Sequence, residues 1–205
     1  MDGTLVDSGA VVEHAWSVWS ARYGLPLTEI LDYSHGRPTL ATMDYFGARF
    51  APGKDWRMEA DEMQSLEGKF SAGTKAIPGA KELLAQVGNA PWAVVTSAPR
   101  ALAESRITAA GLPLPRVLVP ADEISKGKPD PEGFLKAAHE LGFAPAECVV
   151  FEDTPAGVEA GLSAGMEVIG LLTTVPGERL RTRNLIRDYR ELRVTFSAGR
   201  FQIVS

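Results

Sequence analysis

The chain has 205 residues, 45% hydrophobic and 23% charged, with a net charge of −5 at pH 7. That length holds one good-sized domain, or a domain carrying a modest insert. No apolar run approaches the roughly 20 residues needed to span a bilayer, and the acidic balance argues against a general nucleic-acid binder. The chain opens Met1-Asp2-Gly3-Thr4-Leu5-Val6-Asp7-Ser8, an acid, a residue free to adopt positive φ and a hydroxyl, which is tight-turn chemistry. Val11, Val12, Ala15, Trp16, Val18 and Trp19 then form a helical stripe, and Gly24 is a stop ahead of Pro26. His35-Gly36-Arg37 reads as an interhelical turn before Pro38. A second helix follows Pro38 with Leu40, Met43, Tyr45 and Phe46, and a third covers Asp55 to Phe70 with Met58, Met63 and Leu66 inward. These aromatics and methionines read as core, and Ser71-Ala72-Gly73-Thr74 as a hinge.

After Ile77-Pro78-Gly79 the pattern changes. Short apolar runs at Trp92–Thr96, Val117–Val119, Cys148–Glu152 and Val168–Leu172 alternate with helical segments at Ala80–Val87, Arg100–Ala110, Pro131–Leu141 and Ala156–Ala164. Strands alternating with helices predict an α/β fold, a parallel sheet with helices on both faces. Ligands of such sheets bind beyond the carboxyl ends of the strands. Thr96, Glu152, Asp153 and Asp2 therefore share one end of one sheet, and the helical block after the opening turn sits above it as a cap. The arginines at 179, 181, 183, 187, 190 and 193 read as a solvated face, because Glu178, Asp188 and Glu191 are interspersed. Leu192–Phe196 and Phe201–Val204, around Ser197-Ala198-Gly199, suggest a small hairpin. The single Cys148 forms no internal disulfide and reads as a buried, inert thiol. With no signal peptide visible, the expectation is a cytoplasmic protein. His14 and His139 read as plain surface or core-edge residues.

Four segments in order carry a resemblance. They are Asp2-Gly3-Thr4-Leu5-Val6-Asp7-Ser8, Ala93-Val94-Val95-Thr96-Ser97, Lys126-Gly127-Lys128-Pro129-Asp130-Pro131, and Val149-Val150-Phe151-Glu152-Asp153-Thr154-Pro155-Ala156-Gly157. In order and spacing they resemble the four motifs of the haloacid dehalogenase superfamily. The resemblance implies a Rossmann-like core from residues 1–8 and 76–205 and an inserted α-helical cap at 9–75. It also implies a nucleophilic aspartate two residues before Asp2, so that Met1 falls on the motif's variable position. The expectation is that Met1 is an internal methionine taken for a start. A non-catalytic binding protein is the alternative.

In a strand, positions i and i+2 face the same side, so two carboxylates would share one pocket. One can attack phosphorus to form an aspartyl-phosphate. The other can protonate the leaving oxygen and then deprotonate the attacking water. The resemblance gives Asp2 this acid/base role and puts its backbone carbonyl on a metal. The dehalogenases of the superfamily lack an acid at this place; its phosphatases and phosphomutases keep it. Thr96, with Ser97 beside it, would bind a phosphoryl oxygen. Lys128, held by Pro129, would neutralise the transferring group, with Lys126 the competing candidate. Glu152 and Asp153 offer the hard oxygens that Mg²⁺ prefers. His35, Gly36 and Arg37 stand where related sugar phosphatases place a substrate loop. The implied activity is Mg²⁺-dependent hydrolysis of a small phosphate ester, a sugar phosphate above all, by a monomer or weak dimer with no nucleic-acid or membrane partner. A β-phosphoglucomutase-like mutase is the runner-up.

Overall fold

A computed structural model describes residues 1–197 and 200–204. The opening turn closes on itself. The Met1 carbonyl accepts the N–H groups of Thr4 and Leu5, and the Gly3 N–H donates to the Val6 carbonyl at 2.8 Å. Gly3 takes φ +70, and a Cβ there would lie 2.0 Å from Asp153 Oδ2, so the position requires glycine. The short strand β1 (Val6–Asp7) leads into four helices: α1 (Gly9–Tyr23), α2 (Leu27–Ser34), α3 (Thr39–Gly47) and α4 (Arg57–Lys69). The chain returns through a 3₁₀ turn at Ser71–Gly73 and through β2 (Lys75–Ala76), which pairs antiparallel with β1. The two crossings between helical block and core are thereby tied into one ribbon.

The four helices enclose their own apolar cluster of Trp16, Trp19, Ile30, Met43, Phe46, Trp56 and Met63. Trp19 and Trp56 meet edge to face with centroids 5.7 Å apart. The cluster's polar tips converge on Glu59, which accepts Trp19 Nε1–H at 3.1 Å and the Tyr23 hydroxyl at 2.6 Å and pairs with Lys54. Gly47 lets the Trp56 indole in, since a Cβ there would stand 2.3 Å from its Nε1. Two assignments need correction. Met58 is 76% exposed and Tyr45 is 44% exposed, so neither is core. On α4 the buried positions are Ala60, Met63 and Glu67, and Met58, five residues before Met63, is about 140° away around the helix.

The core follows as α5 (Ala80–Val87), β3 (Ala93–Val95), α6 (Arg100–Ala109), β4 (Val117–Val119), α7 (Glu132–Leu141), β5 (Val149–Glu152), α8 (Pro155–Ser163), β6 (Glu167–Leu171) and β7 (Asn184–Ile186). The strands are parallel but hydrogen-bond in two groups, β3–β4 and β5–β6–β7, where one continuous sheet was expected. The opening turn touches both groups. Met1 shares an apolar cluster with Val94 and Leu118, while the Thr4 hydroxyl donates to Asp153 just past β5. The arginine-rich stretch is a solvated face, with all six arginines exposed, and it also contains the short strand β7. An antiparallel hairpin, β8 (Arg193–Ser197) and β9 (Arg200–Val204), packs beside α5, and its expected turn residues Ala198 and Gly199 lie outside the described residues. Cys148 is half-buried rather than buried, with its Sγ–H directed at the Ala144 carbonyl, and burial pushes its thiol above the ordinary range.

Candidate active site

The carboxyl ends of β3, β5 and β6 open into a cleft of about 630 Å³ beneath the helical block. Its walls include Asp2, Thr96, Ser97, Lys128, Glu152 and Asp153 from the core and His35, Gly36 and Arg37 from the loop between α2 and α3. All nine residues singled out from the sequence therefore line one space, although they are spread over 150 positions of the chain.

Most of these side chains are held by identifiable partners. Asp153 is buried, and its Oδ1 accepts the Thr4 hydroxyl at 2.6 Å while its Oδ2 accepts the Thr174 hydroxyl. Burial, and then the charge of Glu152, push its carboxyl up to about 6. Glu152 pairs with Lys128 through Oε1. Its Oε2 accepts the N–H groups of Asp153 and Thr154 and the Thr154 hydroxyl. Burial raises the Glu152 carboxyl, but Lys128 first, then the Met1 amino group and the Thr154 N–H, outweigh it and hold the group below the usual carboxylate range. Glu152 thus aims Lys128 as well as standing beside Asp153. The Lys128 ammonium also lies 5.2 Å from the Phe134 ring centroid. Lys126, the competing lysine, is exposed and faces Asp130 at 3.8 Å.

Thr96 is buried just beyond β3; its N–H donates to the Val119 carbonyl and its hydroxyl accepts the Ala98 N–H at 3.1 Å. The Ser97 hydroxyl donates to the Gly36 carbonyl at 3.2 Å. Gly36 takes φ +75, and a Cβ there would come within 2.8 Å of Thr154 Oγ1, so the helical block sits directly on the core at this glycine. Arg37 stacks over the Tyr33 ring at 4.2 Å and donates to the Tyr33 carbonyl. His35 is half-buried, and burial lowers its imidazole below the ordinary value.

Several partners were not foreseen. Thr173 and Thr174 follow β6, where a strand's carboxyl end is itself a signal, and the Thr173 hydroxyl donates to the Gly3 carbonyl. Ser8 and Arg106 both donate to Asp2 Oδ1, at 2.5 and 3.0 Å, and Arg106 also donates to Glu67 at 2.7 Å. The only sequence sign of Arg106 was a charge on the apolar face of α6, in phase with Leu102, Ala103 and Ile107.

The site suits a divalent cation by its charge balance. Two adjacent buried carboxylates stand at one strand end, Lys128 pairs with Glu152 alone, and burial and the Glu152 charge push Asp153 up. Among the described residues no three His, Cys, Asp or Glu side chains converge as a complete metal cage. Such an ion would lean on Asp153, Glu152 and the Asp2 carbonyl, with water and substrate oxygens completing the shell.

The parallel α/β core, the helical cap and these four motifs define a haloacid dehalogenase-like hydrolase. The family model of that description matches residues 1–165, and the chain belongs to this family. Hexitol phosphatase A of Escherichia coli is 42% identical over 188 residues, covering 91% of this chain and 87% of its own length. Validoxylamine A 7'-phosphate phosphatase of Streptomyces hygroscopicus is 37% identical over 203 residues, covering 94% and 93%. A crystal structure of a putative β-phosphoglucomutase from Thermotoga maritima superimposes with a TM-score of 0.66 at 27% identity, covering 91% of each chain. The chain is thus a phosphoric monoester hydrolase of this family. Among the described residues no helix is long and apolar enough to cross a membrane.

Proposed function

We propose that the protein is a cytoplasmic, Mg²⁺-dependent phosphatase of small polyol or sugar phosphates that works through an aspartyl-phosphate. The observation that supports this most is the convergence of Asp2, Thr96, Lys128, Glu152 and Asp153 on one cleft that the His35–Arg37 loop of the helical block also lines. The acyl-phosphate would form on an aspartate two positions ahead of Asp2, where the family's pattern puts one. Its carboxylate attacks phosphorus, the P–O bond to the alcohol breaks, and Asp2 gives its proton to the departing oxygen. Asp2, now ionised, takes a proton from water as that water attacks phosphorus. The acyl-phosphate P–O bond then breaks, releasing inorganic phosphate and regenerating the carboxylate. Thr96 and Lys128 hold the phosphoryl oxygens, and Glu152 keeps the ammonium aimed at them. When bound, the cation would neutralise phosphoryl charge, held by Asp153, Glu152 and the Asp2 carbonyl. Cap closure excludes bulk water, and the His35–Arg37 loop reads the rest of the substrate.

The test is phosphate release from sorbitol, glycerol and aryl phosphates, with Mg²⁺ or EDTA, by this chain and by one extended to place an aspartate before Met1. The extended form is expected to turn over and to lose activity with EDTA. Asp2→Asn in that form is expected to cost about 10²- to 10⁴-fold. Activity of the unextended chain that survives Asp2→Asn would overturn the mechanism. Turnover only in the presence of a sugar bisphosphate would move the reading to a mutase.

A further inference from the structure

We infer that Arg106 is a positioning residue for the acid/base carboxylate of Asp2, and that Glu67 makes this position depend on the cap. The inference rests on the phosphatase reading above. Arg106 stands on the inward face of α6, and its side chain is only 4% exposed. Its fork divides between two carboxylates. Nη1 donates to Asp2 Oδ1 at 3.0 Å, and Nη2 donates to Glu67 Oε2 at 2.7 Å, while Nε is buried without a partner. Glu67 lies in the last turns of α4, at the end of the helical block, and its side chain is 6% exposed.

Ser8 immediately precedes α1, at the start of the same block, and its hydroxyl reaches the same Oδ1 of Asp2. Both ends of the cap thus converge on one oxygen of one carboxylate: Ser8 directly, and Glu67 through Arg106. Asp2 Oδ2 carries no hydrogen bond among the described residues, so the arrangement fixes one oxygen and leaves the other for the proton that Asp2 must deliver. Burying a guanidinium between two carboxylates is weak evidence for stability, because apolar side chains of similar volume often fill such a space as well or better. What apolar side chains could not do is hold a carboxylate in one orientation. If the cap swings away, Glu67 leaves Nη2, and the guanidinium loses the partner that keeps Nη1 on Asp2. Proton transfer by Asp2 is then matched to the seated cap, when bulk water is excluded.

The readout is leaving-group dependence, measured as kcat/KM on two esters with the form of the chain that passes the hydrolysis test. A polyol phosphate needs a proton on its departing alkoxide; p-nitrophenyl phosphate does not. Arg106→Met is expected to lower kcat/KM for the polyol ester by about 100-fold and for the aryl ester by less than about fivefold. Arg106→Lys should recover part of the difference, and Glu67→Gln should reproduce it in weaker form. Equal losses on both esters would overturn the inference, as would unchanged values. Should Arg106→Met fail to fold, the same ratio measured in Arg106→Lys and Glu67→Gln decides. A parent enzyme that hydrolyses neither ester fails the phosphatase reading itself, an outcome visible before any variant is compared.

Discussion

At the residue scale, the site is built from groups whose partners set their charge. His35 is the one imidazole in the cleft wall, half-buried, with Arg179 adding to the effect of burial and Asp32 opposing it. Its folded value lies below the ordinary 6.5, so the unfolded chain takes up a proton first as pH falls. The stability tied to neutral His35 is therefore complete above that value. It declines as pH drops through it, and levels off once the folded imidazole charges. Thermal melts from pH 8 to 5 should show this loss, and His35→Gln should remove that component. A His35 imidazole titrating at or above 6.5 by NMR would contradict it. Thr4, Thr154 and Thr174 have a different task, as their hydroxyls hold Asp153 and Glu152 without adding charge.

At the scale of elements, the contact that seats the cap is backbone against side chain at Gly36. Alanine there would meet Thr154 and be held at φ +75. Gly53 is a control, since it takes φ +80 but has no neighbouring atom within 4 Å of a would-be Cβ. Gly53→Ala should cost only the conformational term, about 1 kcal/mol, and leave activity unchanged. Gly36→Ala should cost similar stability but lower kcat/KM by about 10- to 100-fold, because the cap can no longer close to the same depth. Equal kinetics for the two variants would remove Gly36 from the closing contact. Elements were legible in the sequence to different degrees. The strands β3, β5 and β6 stood out because each is an apolar run ending in hydroxyls or carboxylates. Helix α2 was missed because Leu27, Ile30 and Leu31 supply a single apolar stripe in eight residues. Strand β7 was missed because three residues flanked by exposed arginines carry no period at all.

At the scale of the molecule, three of the four tryptophans, Trp16, Trp19 and Trp56, lie in the cluster of the helical block, while Trp92 packs against the core. An apolar cluster of the helical block that is separate from the three of the core, with a two-stranded ribbon between them, favours unfolding in two steps. Tryptophan fluorescence should report the cap, and far-UV circular dichroism the whole chain, so their urea curves should not coincide. Superimposed curves would mean that cap and core melt as one unit. The sequence by itself determined the α/β class and the order of the four motifs, and it singled out nine residues that line one cleft. Those features depend on local turn chemistry and on apolar periods that neighbouring residues carry between them. Only the tertiary structure decided which partner each side chain meets. Glu152 aims Lys128, Ser97 meets Gly36, and Glu67 reaches Asp2 through Arg106, across separations of 24, 61 and 104 residues where a bond closes in one step. Such pairings follow from how layers stack and how helices turn their faces. Even the charge of Arg106, set in the apolar face of α6, takes its meaning only from the two carboxylates that packing brings to it.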